Sequence, residues 1–461
     1  MHTDRSWRHL PRSRRYATAV SEGHAATRRS LRLGQLRTLL LLFGGYAACY
    51  YCRADLSVAT PLVVEELGRH GVPHDAALIH IGTITSLGVF AYALGKLFLT
   101  GLGDYWGGRR NFLLGVGGAT LFTLLFAAGG SLPVFTLAWI ANRLTQSVAW
   151  AGLIKVSSRW FNYSSYGTIA GFLSLRYLVG DALARQQMGM LIEHGFAWRS
   201  LFVFAAIVAG VMLVANLWLL RESRAEEGHP EAEPNPLNLF ASSEAPPASP
   251  NALLLPLLRS RAFLLVCLLS FACTIIRETF NTWTPVYLRD HLGYSLSDSA
   301  SLSAIFPAVG VVSVMAAGWL SDRLGLAGRS LLLFLGLCGT AGSLLVLMSV
   351  HPGVAHSLFP ILMIGLVAFC VLGPYSYLGG AFALDFGGKQ ASAASSGIID
   401  GIGYLGGVLA GDSVARLAVA VGWDGVFVTL AGVSALAAVC AGVLHVLNTR
   451  TVVRSVHAEV G

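Results

Sequence analysis

Long apolar runs, separated by short polar stretches, recur along almost the whole chain. A helix needs about 20 apolar residues to span a bilayer, and twelve runs come near that length. The pattern therefore predicts an all-α membrane protein with twelve transmembrane helices. The predicted spans are 38–64, 78–100, 111–130, 134–156, 167–191, 200–220, 261–287, 299–320, 330–349, 358–384, 393–414 and 424–447.

The longest polar interruption, 221–258, divides these runs into two sets of six. It contains six glutamates and seven of the sixteen prolines of the chain. Such a segment cannot bury a hydrophobic core and is typical of a linker. We therefore predict a six-helix bundle at 38–220, a cytoplasmic linker at 221–258, a second bundle at 259–447 and a cytoplasmic tail at 448–461.

The two sets of spans are related by an internal repeat. Residues of the same type recur at nearly constant offsets: Asp104 with Asp322 at 218, Arg53 with Arg277 at 224, Trp198 with Trp423 at 225, and Gly180 with Gly406 at 226. Many secondary transporters consist of two such repeats around a site near the bilayer midplane. The repeat therefore predicts two pseudo-symmetric six-helix bundles with a site between them.

Composition excludes several classes of protein. Hydrophobic residues make up 54% of the chain and charged residues 12%, and the mean hydropathy is +0.63, which excludes an ordinary soluble protein. The seven cysteines lie in apolar runs without zinc-site or disulfide spacing. The sequence contains no nucleotide-binding loop. We therefore expect no enzyme, no catalytic residues, no metal and no cofactor.

The net charge of +8 comes mainly from the N-terminal arm, 1–37, which contains nine arginines against Asp4 and Glu22. We interpret this arm as a disordered cytoplasmic tail that obeys the positive-inside rule. A nucleic-acid or anionic-lipid arm and an organellar transit peptide are the alternatives. We expect a monomer in the cell (inner) membrane with both termini in the cytoplasm. We expect it to contact the lipid bilayer and not to bind nucleic acid.

Charged residues inside the spans indicate where the chemistry lies. Each buried Arg or Lys costs roughly 2.5–3.5 kcal/mol on insertion scales, so a chain keeps few without pairing or use. Seven basic against five acidic residues leave an excess of two, which suits a dianion. The basic residues are Arg53, Lys96, Arg143, Lys155, Arg176, Arg185 and Arg277, and the acidic ones are Asp55, Asp181, Glu278, Asp400 and Asp412.

Arg53 and Arg277 form the sharpest pair of candidates. Each lies about fifteen residues into the first helix of its half, and the repeat places them on opposite walls of one cavity. Two guanidinium groups can bind a phosphate dianion bidentately. The alternative is local pairing of Arg53 with Asp55 and of Arg277 with Glu278, which neighbouring positions on a helix disfavour.

The remaining charged candidates divide between binding and structure. Lys96 is either a third contact for the anion or a partner for Asp55. Arg143 is interpreted as structural, and Asp181 with Arg185 as an i,i+4 salt bridge. Arg176 either faces the cavity or pairs with a carboxylate of another helix, Asp400. Asp55 or Asp400 is also a candidate proton carrier.

Charged residues in two matching loops predict gating. Asp104 with Arg109 and Arg110, and Asp322 with Arg323, follow the second and eighth spans. A carboxylate there can pair with an arginine across the interface of the halves. We interpret these groups as latches for one conformation rather than as substrate contacts.

At these residues the chain resembles the major facilitator superfamily, and more narrowly the organophosphate:phosphate antiporters, which include glycerol-3-phosphate and hexose-phosphate transporters. The stretches that carry this resemblance include GGYAACYYCRADLSVATP at 44–61, YALGKLFLTGLGD at 92–104, RETFNTWTPVYLRDHLGYS at 277–295 and GWLSDR at 318–323. The resemblance implies that the family's substrate residues fall on Arg53, Arg277, Lys96, Tyr46, Tyr50 and Trp150.

The fifth span departs from the family pattern. Where the family has a binding-site histidine, this chain has Tyr177, beside an added Arg176. We expect both to contact the substrate. The resemblance implies exchange of a phosphate ester for inorganic phosphate by alternating access. Two alternatives stay open: a proton-coupled facilitator for another anion, and a membrane sensor that binds a sugar phosphate without moving it.

Overall fold

The computed structural model describes residues 12–99, 106–162, 169, 172–173, 175–232, 255, 257–353 and 357–460. The N-terminal half consists of seven helices that correspond to six predicted spans. They are α1 (Arg12–Arg69), α2 (His74–Phe98), α3 (Gly108–Ala128), α4 (Leu132–Gln146), α5 (Ala149–Trp160), α6 (Arg176–Glu193) and α7 (Trp198–Leu219). Two residues separate α4 from α5, so together these helices form the fourth span.

The C-terminal half repeats this plan. Its helices are α8 (Arg261–Val286), α9 (Leu296–Leu302), α10 (Ile305–Met348), α11 (Leu358–Tyr375), α12 (Ala383–Leu409) and α13 (Asp412–Val460). Ser313 and Gly336 of α10 both lie against α11, near Phe369 and Cys370. Contacts along the first part of α10 advance in the same direction as α11, whereas contacts along its second part advance in the opposite direction. The chain therefore reverses within α10, which forms two spans.

The described residues contain eight helical segments that are long and apolar enough to cross a bilayer. One of them, Ser395–Thr449, contains two spans, because Gly422 adopts a φ of 73° inside α13. The other three predicted spans lie on α1, on α4 with α5, and on α6. Charged side chains make α6 less apolar, and these same charges form part of the site. The twelve-span prediction is therefore consistent with the structure.

Two segments that we predicted to be irregular, the N-terminal arm and the linker, contain ordered structure. We predicted a disordered arm before residue 38, but α1 begins at Arg12. The first part of the predicted linker also packs on the N-terminal half. Glu222 accepts the backbone N–H groups of Gly108 and Arg109 at 2.9 and 2.6 Å, which satisfies free donors at the start of α3. Composition did not predict this contact, because it arises from tertiary neighbours.

Each half has its own buried apolar core. The paired glycines of the repeat show how closely the helices of each half pack. A Cβ atom on Gly180 would meet the backbone oxygen of Ala47 on α1, and a Cβ atom on Gly406 would meet that of Phe271 on α8. In both halves, the first helix therefore requires a glycine on its partner for close approach.

The halves contact each other on the side away from the chain termini. Ser57 donates to the carbonyl oxygens of Asn281 and Thr282 at 2.8 and 2.7 Å. Arg185 donates to the same Asn281 oxygen at 2.6 Å. Further along, Arg289 pairs with Glu65 on α1 at 3.2 Å. These bonds hold the halves together beyond Arg53, so the structure is closed on the far side.

Candidate functional site

Two adjoining cavities lie between the halves. The far-side cavity has a volume of about 590 Å³ and contains Arg53, Arg143, Arg185 and Arg277 in its wall. The terminal-side cavity, of about 990 Å³, contains Lys96 and Arg176. Four side chains line both cavities and therefore mark the boundary between them: Tyr50, Tyr177, Arg277 and Tyr404.

Arg53 lies next to a local break in α1. Cys52 has a φ of −78° and a ψ of 15°, which interrupts the helix directly before Arg53. The Arg53 Nε donates to Gln146 Oε1 at 2.6 Å, and its guanidinium carbon lies 4.4 Å from the centre of the Tyr92 ring. Its buried Nη2 has no hydrogen-bond partner among the described residues. Arg53 is thus oriented by neutral groups and keeps a donor free.

Arg277 has a different environment from Arg53. Its Nη2 donates to Glu278 Oε1 at 2.5 Å, although the two residues are adjacent in α8. We expected neighbouring positions to disfavour this pair, and that expectation was wrong. Long side chains can bend toward each other, and burial in a low-dielectric region favours contact between opposite charges. The guanidinium also lies 4.7 Å from the Tyr375 ring centre.

Lys96 forms an ion pair between the halves. Its Nζ lies 3.5 Å from Asp400 Oδ2 on α12. This contact corrects two alternatives from the sequence, because Lys96 does not pair with Asp55 and Arg176 does not pair with Asp400. The Lys96 ammonium group also lies 5.2 Å from the centre of the Tyr404 ring. Lys96 therefore belongs to the wall of the terminal-side cavity.

Asp55 is fully buried, with an exposed fraction of 0%. Its Oδ1 accepts the backbone N–H of Leu56 at 2.7 Å, and its Oδ2 has no partner among the described residues. Asp55 forms no ion pair with Arg53 within the part of the chain that the structure describes. The local alternative for Arg53 is therefore wrong, whereas the local alternative for Arg277 is correct.

The substitutions in the fifth span both reach the cavities. Arg176 lies 4.2 Å from the Tyr46 ring centre and 3.9 Å from that of Trp150. Its Nη1 donates to the carbonyl oxygen of Leu173. Tyr177, one position further, lines both cavities. Tyr46 and Trp150 lie in the wall of the terminal-side cavity, so every residue that the resemblance implied for binding lines one or both of the two cavities.

Sequence reasoning assigned no binding role to three cavity residues that connect the basic groups. Tyr92 lies under the guanidinium groups of both Arg53 and Arg143, and its ring packs 5.0 Å from that of Tyr404. Arg143, which we interpreted as structural, lines the far-side cavity. A spacing signal existed: Tyr92 precedes Lys96 by four residues, and Tyr404 follows Asp400 by four, so each pair shares a helix face.

The predicted gating residues lie apart from these cavities. Arg109 donates to the carbonyl oxygens of Leu220 and Leu217 at 2.7 and 2.6 Å, all within the N-terminal half. Arg323 lies over the Trp319 ring at 3.8 Å. Asp104 and the side chain of Asp322 fall outside the described part of the chain. The latch therefore stays a prediction.

A pair of helical bundles with spans of membrane-crossing length and a basic, aromatic cavity between them is the architecture of a secondary transporter. The described residues contain no group of three or more His, Cys, Asp or Glu side chains that could hold a metal ion. The sequence model of the Major Facilitator Superfamily matches residues 39–411. The chain belongs to this superfamily.

Curated relatives are similar to this chain over most of their length. A probable hexose phosphate transport protein of Chlamydia trachomatis is 23% identical over 409 residues, which cover 86% of this chain and 88% of that protein. The membrane sensor protein UhpC of Escherichia coli is 26% identical, covering 86% and 90%. The glycerol-3-phosphate transporter of Bacillus subtilis is 22% identical, covering 86% and 89%.

Solved structures support the fold. A bacterial homologue of the lysosomal transporter Spinster, in an inward-facing conformation, matches with a TM-score of 0.66 at 15% identity, covering 91% of this chain and 98% of that one. A POT family transporter in complex with 5-aminolevulinic acid matches with a TM-score of 0.68 at 14% identity, covering 90% and 96%. At such identities the likeness shows the fold alone.

Proposed function

We propose that this protein moves a phosphate ester across the cell membrane in exchange for inorganic phosphate. The observation that carries the proposal is the arginine pair: Arg53 and Arg277 occupy matching positions of the two halves and line one cavity. Guanidinium groups are always charged and bind phosphate oxygens bidentately. The names of the relatives, which include hexose phosphate and glycerol-3-phosphate transport proteins, favour the same substrates.

Alternating access explains why such a site favours exchange. Without an anion, the N-terminal half brings arginines without a carboxylate partner to the cavity, and enclosing such charges between the halves is costly. A bound phosphate neutralises these charges and so lowers the cost of closing the halves around the site. The return step then needs a second anion for the same reason. Charge in the cavity thereby couples the exit of one anion to the entry of another.

The positive-inside rule, applied to the basic arm, supports an orientation of the protein in the membrane. We place both termini in the cytoplasm, the larger cavity on that side and the protein in the cell (inner) membrane as a monomer. Thiol labelling of single cysteines at 69 and 228, in a variant without native cysteines, tests the sidedness. Arg69 should be reached from outside the cell, and Gly228, in the linker, only after permeabilisation.

Counterflow in proteoliposomes tests the transport proposal. Vesicles loaded with inorganic phosphate should take up labelled glycerol-3-phosphate or hexose phosphate, and vesicles without an internal anion should not. Arg53→Ala should abolish uptake, while Arg69→Gln, an exposed arginine outside the cavities, should behave as wild type. Uptake driven by a proton gradient without internal phosphate would refute exchange and favour proton coupling.

The similarity to a membrane sensor motivates a second candidate function. A sensor would bind the ester without moving it across the membrane. Binding of the ester, measured by isothermal titration calorimetry on the same preparation, distinguishes the two functions. Binding combined with no counterflow would contradict the transport proposal and support the sensor.

A further inference from the structure

We infer that the substrate has acid groups at both ends, so that the cavities accept a phosphorylated carboxylic acid or a bisphosphate rather than a simple monoester. This inference rests on the proposed function and narrows its substrate class. It arises from basic residues that neither the repeat nor the family resemblance assigned to a phosphate, namely Arg143 and Arg176.

The ion pairs of the cavity walls divide its basic groups into two kinds. Three carboxylates each neutralise one basic group: the pairs are Arg185 with Asp181 at 3.2 Å, Arg277 with Glu278 at 2.5 Å and Lys96 with Asp400 at 3.5 Å. The other three basic groups are Arg53, Arg143 and Arg176. No carboxylate of the described residues lies within 4.0 Å of any of them.

These three arginines need an anion from elsewhere. Arg143 and Arg176 are 7% and 4% exposed, and the Nε atom of each is buried without a hydrogen-bond partner among the described residues. An unpaired buried charge is costly, and so is a buried donor without an acceptor. Aromatic rings lie beside all three guanidinium groups, and the Tyr50 hydroxyl accepts from Arg53 Nη1 at 3.3 Å, but Arg53 Nη2 and the Nε atoms of Arg143 and Arg176 have no acceptor among the described residues. Ligand oxygens can satisfy them.

The three arginines form two separate positions. Arg53 and Arg143 share the ring of Tyr92 at 4.4 and 5.7 Å and line the far-side cavity. Arg176 lies on the other side of the Tyr50–Tyr177 boundary, against Tyr46 and Trp150, and lines the terminal-side cavity.

The backbone spacing of residues beside the two positions gives a rough scale for their separation. On α1, seven residues separate Tyr46 from Arg53, which corresponds to roughly 10 Å at 1.5 Å per residue. Seven residues also separate Arg143 from Trp150 in the fourth span, and they give about the same distance. Because the Tyr50–Tyr177 boundary also lies between the two positions, a short carbon chain with an acid group at each end fits them better than a single phosphoryl group does.

Charge points to the same class of ligand. Six basic residues and three carboxylates line the two cavities, a formal excess of three positive charges. A phosphate monoester carries about −1.5 to −2 charges near pH 7, so it does not neutralise all of the positive excess. An additional carboxylate or second phosphoryl group balances it. Phosphorylated sugar acids and sugar bisphosphates have this charge and shape.

Competition in counterflow tests the inference. We expect 3-phosphoglycerate and a hexose bisphosphate to inhibit exchange at concentrations roughly tenfold lower than glycerol-3-phosphate or a hexose monophosphate. Arg143→Gln and Arg176→Gln should each weaken the ligands with two acid groups more than the monoesters, so that this preference disappears. Neither variant leaves a carboxylate unpaired, and Arg69→Gln serves as the charge-matched control.

Thermal stabilisation by the same ligands gives a readout that does not need transport. Equal potency of monoesters and ligands with two acid groups in wild type, or a preference that neither variant changes, would overturn the inference and leave the proposed function intact. Stimulation of monoester exchange by inorganic phosphate on the same side would also overturn it, because the second position would then hold a separate ion. Absence of exchange for every ester would overturn the proposed function itself.

Discussion

Among the described residues, the N-terminal half contributes five basic side chains and one carboxylate to the walls of the two cavities, whereas the C-terminal half contributes one basic side chain and two carboxylates. The halves nevertheless share a backbone plan, in which Gly180 and Gly406 occupy equivalent contacts with the first helix of each half. Packing thus follows the repeat, while the distribution of charge does not.

This comparison assigns different roles to the two arginines of the pair. Arg53 is held by neutral partners, Gln146 and aromatic rings, and keeps its full charge for a ligand. Arg277 shares its charge with Glu278. We expect the N-terminal half to supply most of the binding energy for the anion. The C-terminal half then supplies carboxylates that the anion must displace or accept as neighbours.

The largest effect should come from Arg53. Arg53→Lys keeps the charge but loses the planar fork, so bidentate binding of phosphate is lost. We expect Arg53→Lys and Arg53→Ala to lower the exchange rate roughly a hundredfold or more, measured by counterflow at matched protein density. Near wild-type exchange by Arg53→Ala would show that the unpaired arginine of the N-terminal half does not bind the substrate.

The next largest expected effect is on the stability of the protein, and it distinguishes Arg277 from Arg53. Arg277→Gln leaves Glu278 buried without its partner, which costs roughly 3–5 kcal/mol, whereas the double variant Arg277→Gln/Glu278→Gln removes both charges. Thermal unfolding in detergent should therefore show a clear loss for the single variant and recovery for the double variant. Equal unfolding temperatures for both variants would mean that the pair is not an energetic unit.

A smaller effect is expected at the ion pair between the halves. Asp400→Asn removes the carboxylate that holds Lys96, so the ammonium group becomes available to the anion. Because this pair is partly exposed, its contribution should be about 1 kcal/mol, which lowers the half-saturation concentration about fivefold. Lys96→Gln should raise that concentration. A change in the same direction for both variants would argue against competition between Asp400 and the substrate.

The smallest effect concerns Tyr177, which borders both cavities. No histidine lines either cavity among the described residues. Tyr177→His introduces a group that titrates near pH 6.5. We expect the ratio of variant to wild-type exchange to rise about twofold as the pH falls from 7 to 6, since the added histidine gains a positive charge. A flat ratio would place Tyr177 away from the bound anion.

The sequence predicted much of the site because the repeat is visible in single residues. The offset of 224 between Arg53 and Arg277 placed both on the first helix of a half, and both line the far-side cavity. Partner choice was not predictable in the same way. Lys96 pairs with Asp400 rather than Asp55, and these partners are more than three hundred positions apart. Which carboxylate lies nearest depends on how α2 and α12 cross.

The sequence by itself determined the class of the protein, the number of spans and the main positions of charge inside them, because apolar length and buried charge are constrained locally by the bilayer. Only the tertiary structure decided which charges neutralise one another. Long side chains reach several ångströms from their helix, so small differences in helix packing select their partners. Arg143 and Arg176 therefore stand without a carboxylate for a reason that no spacing along the chain could reveal.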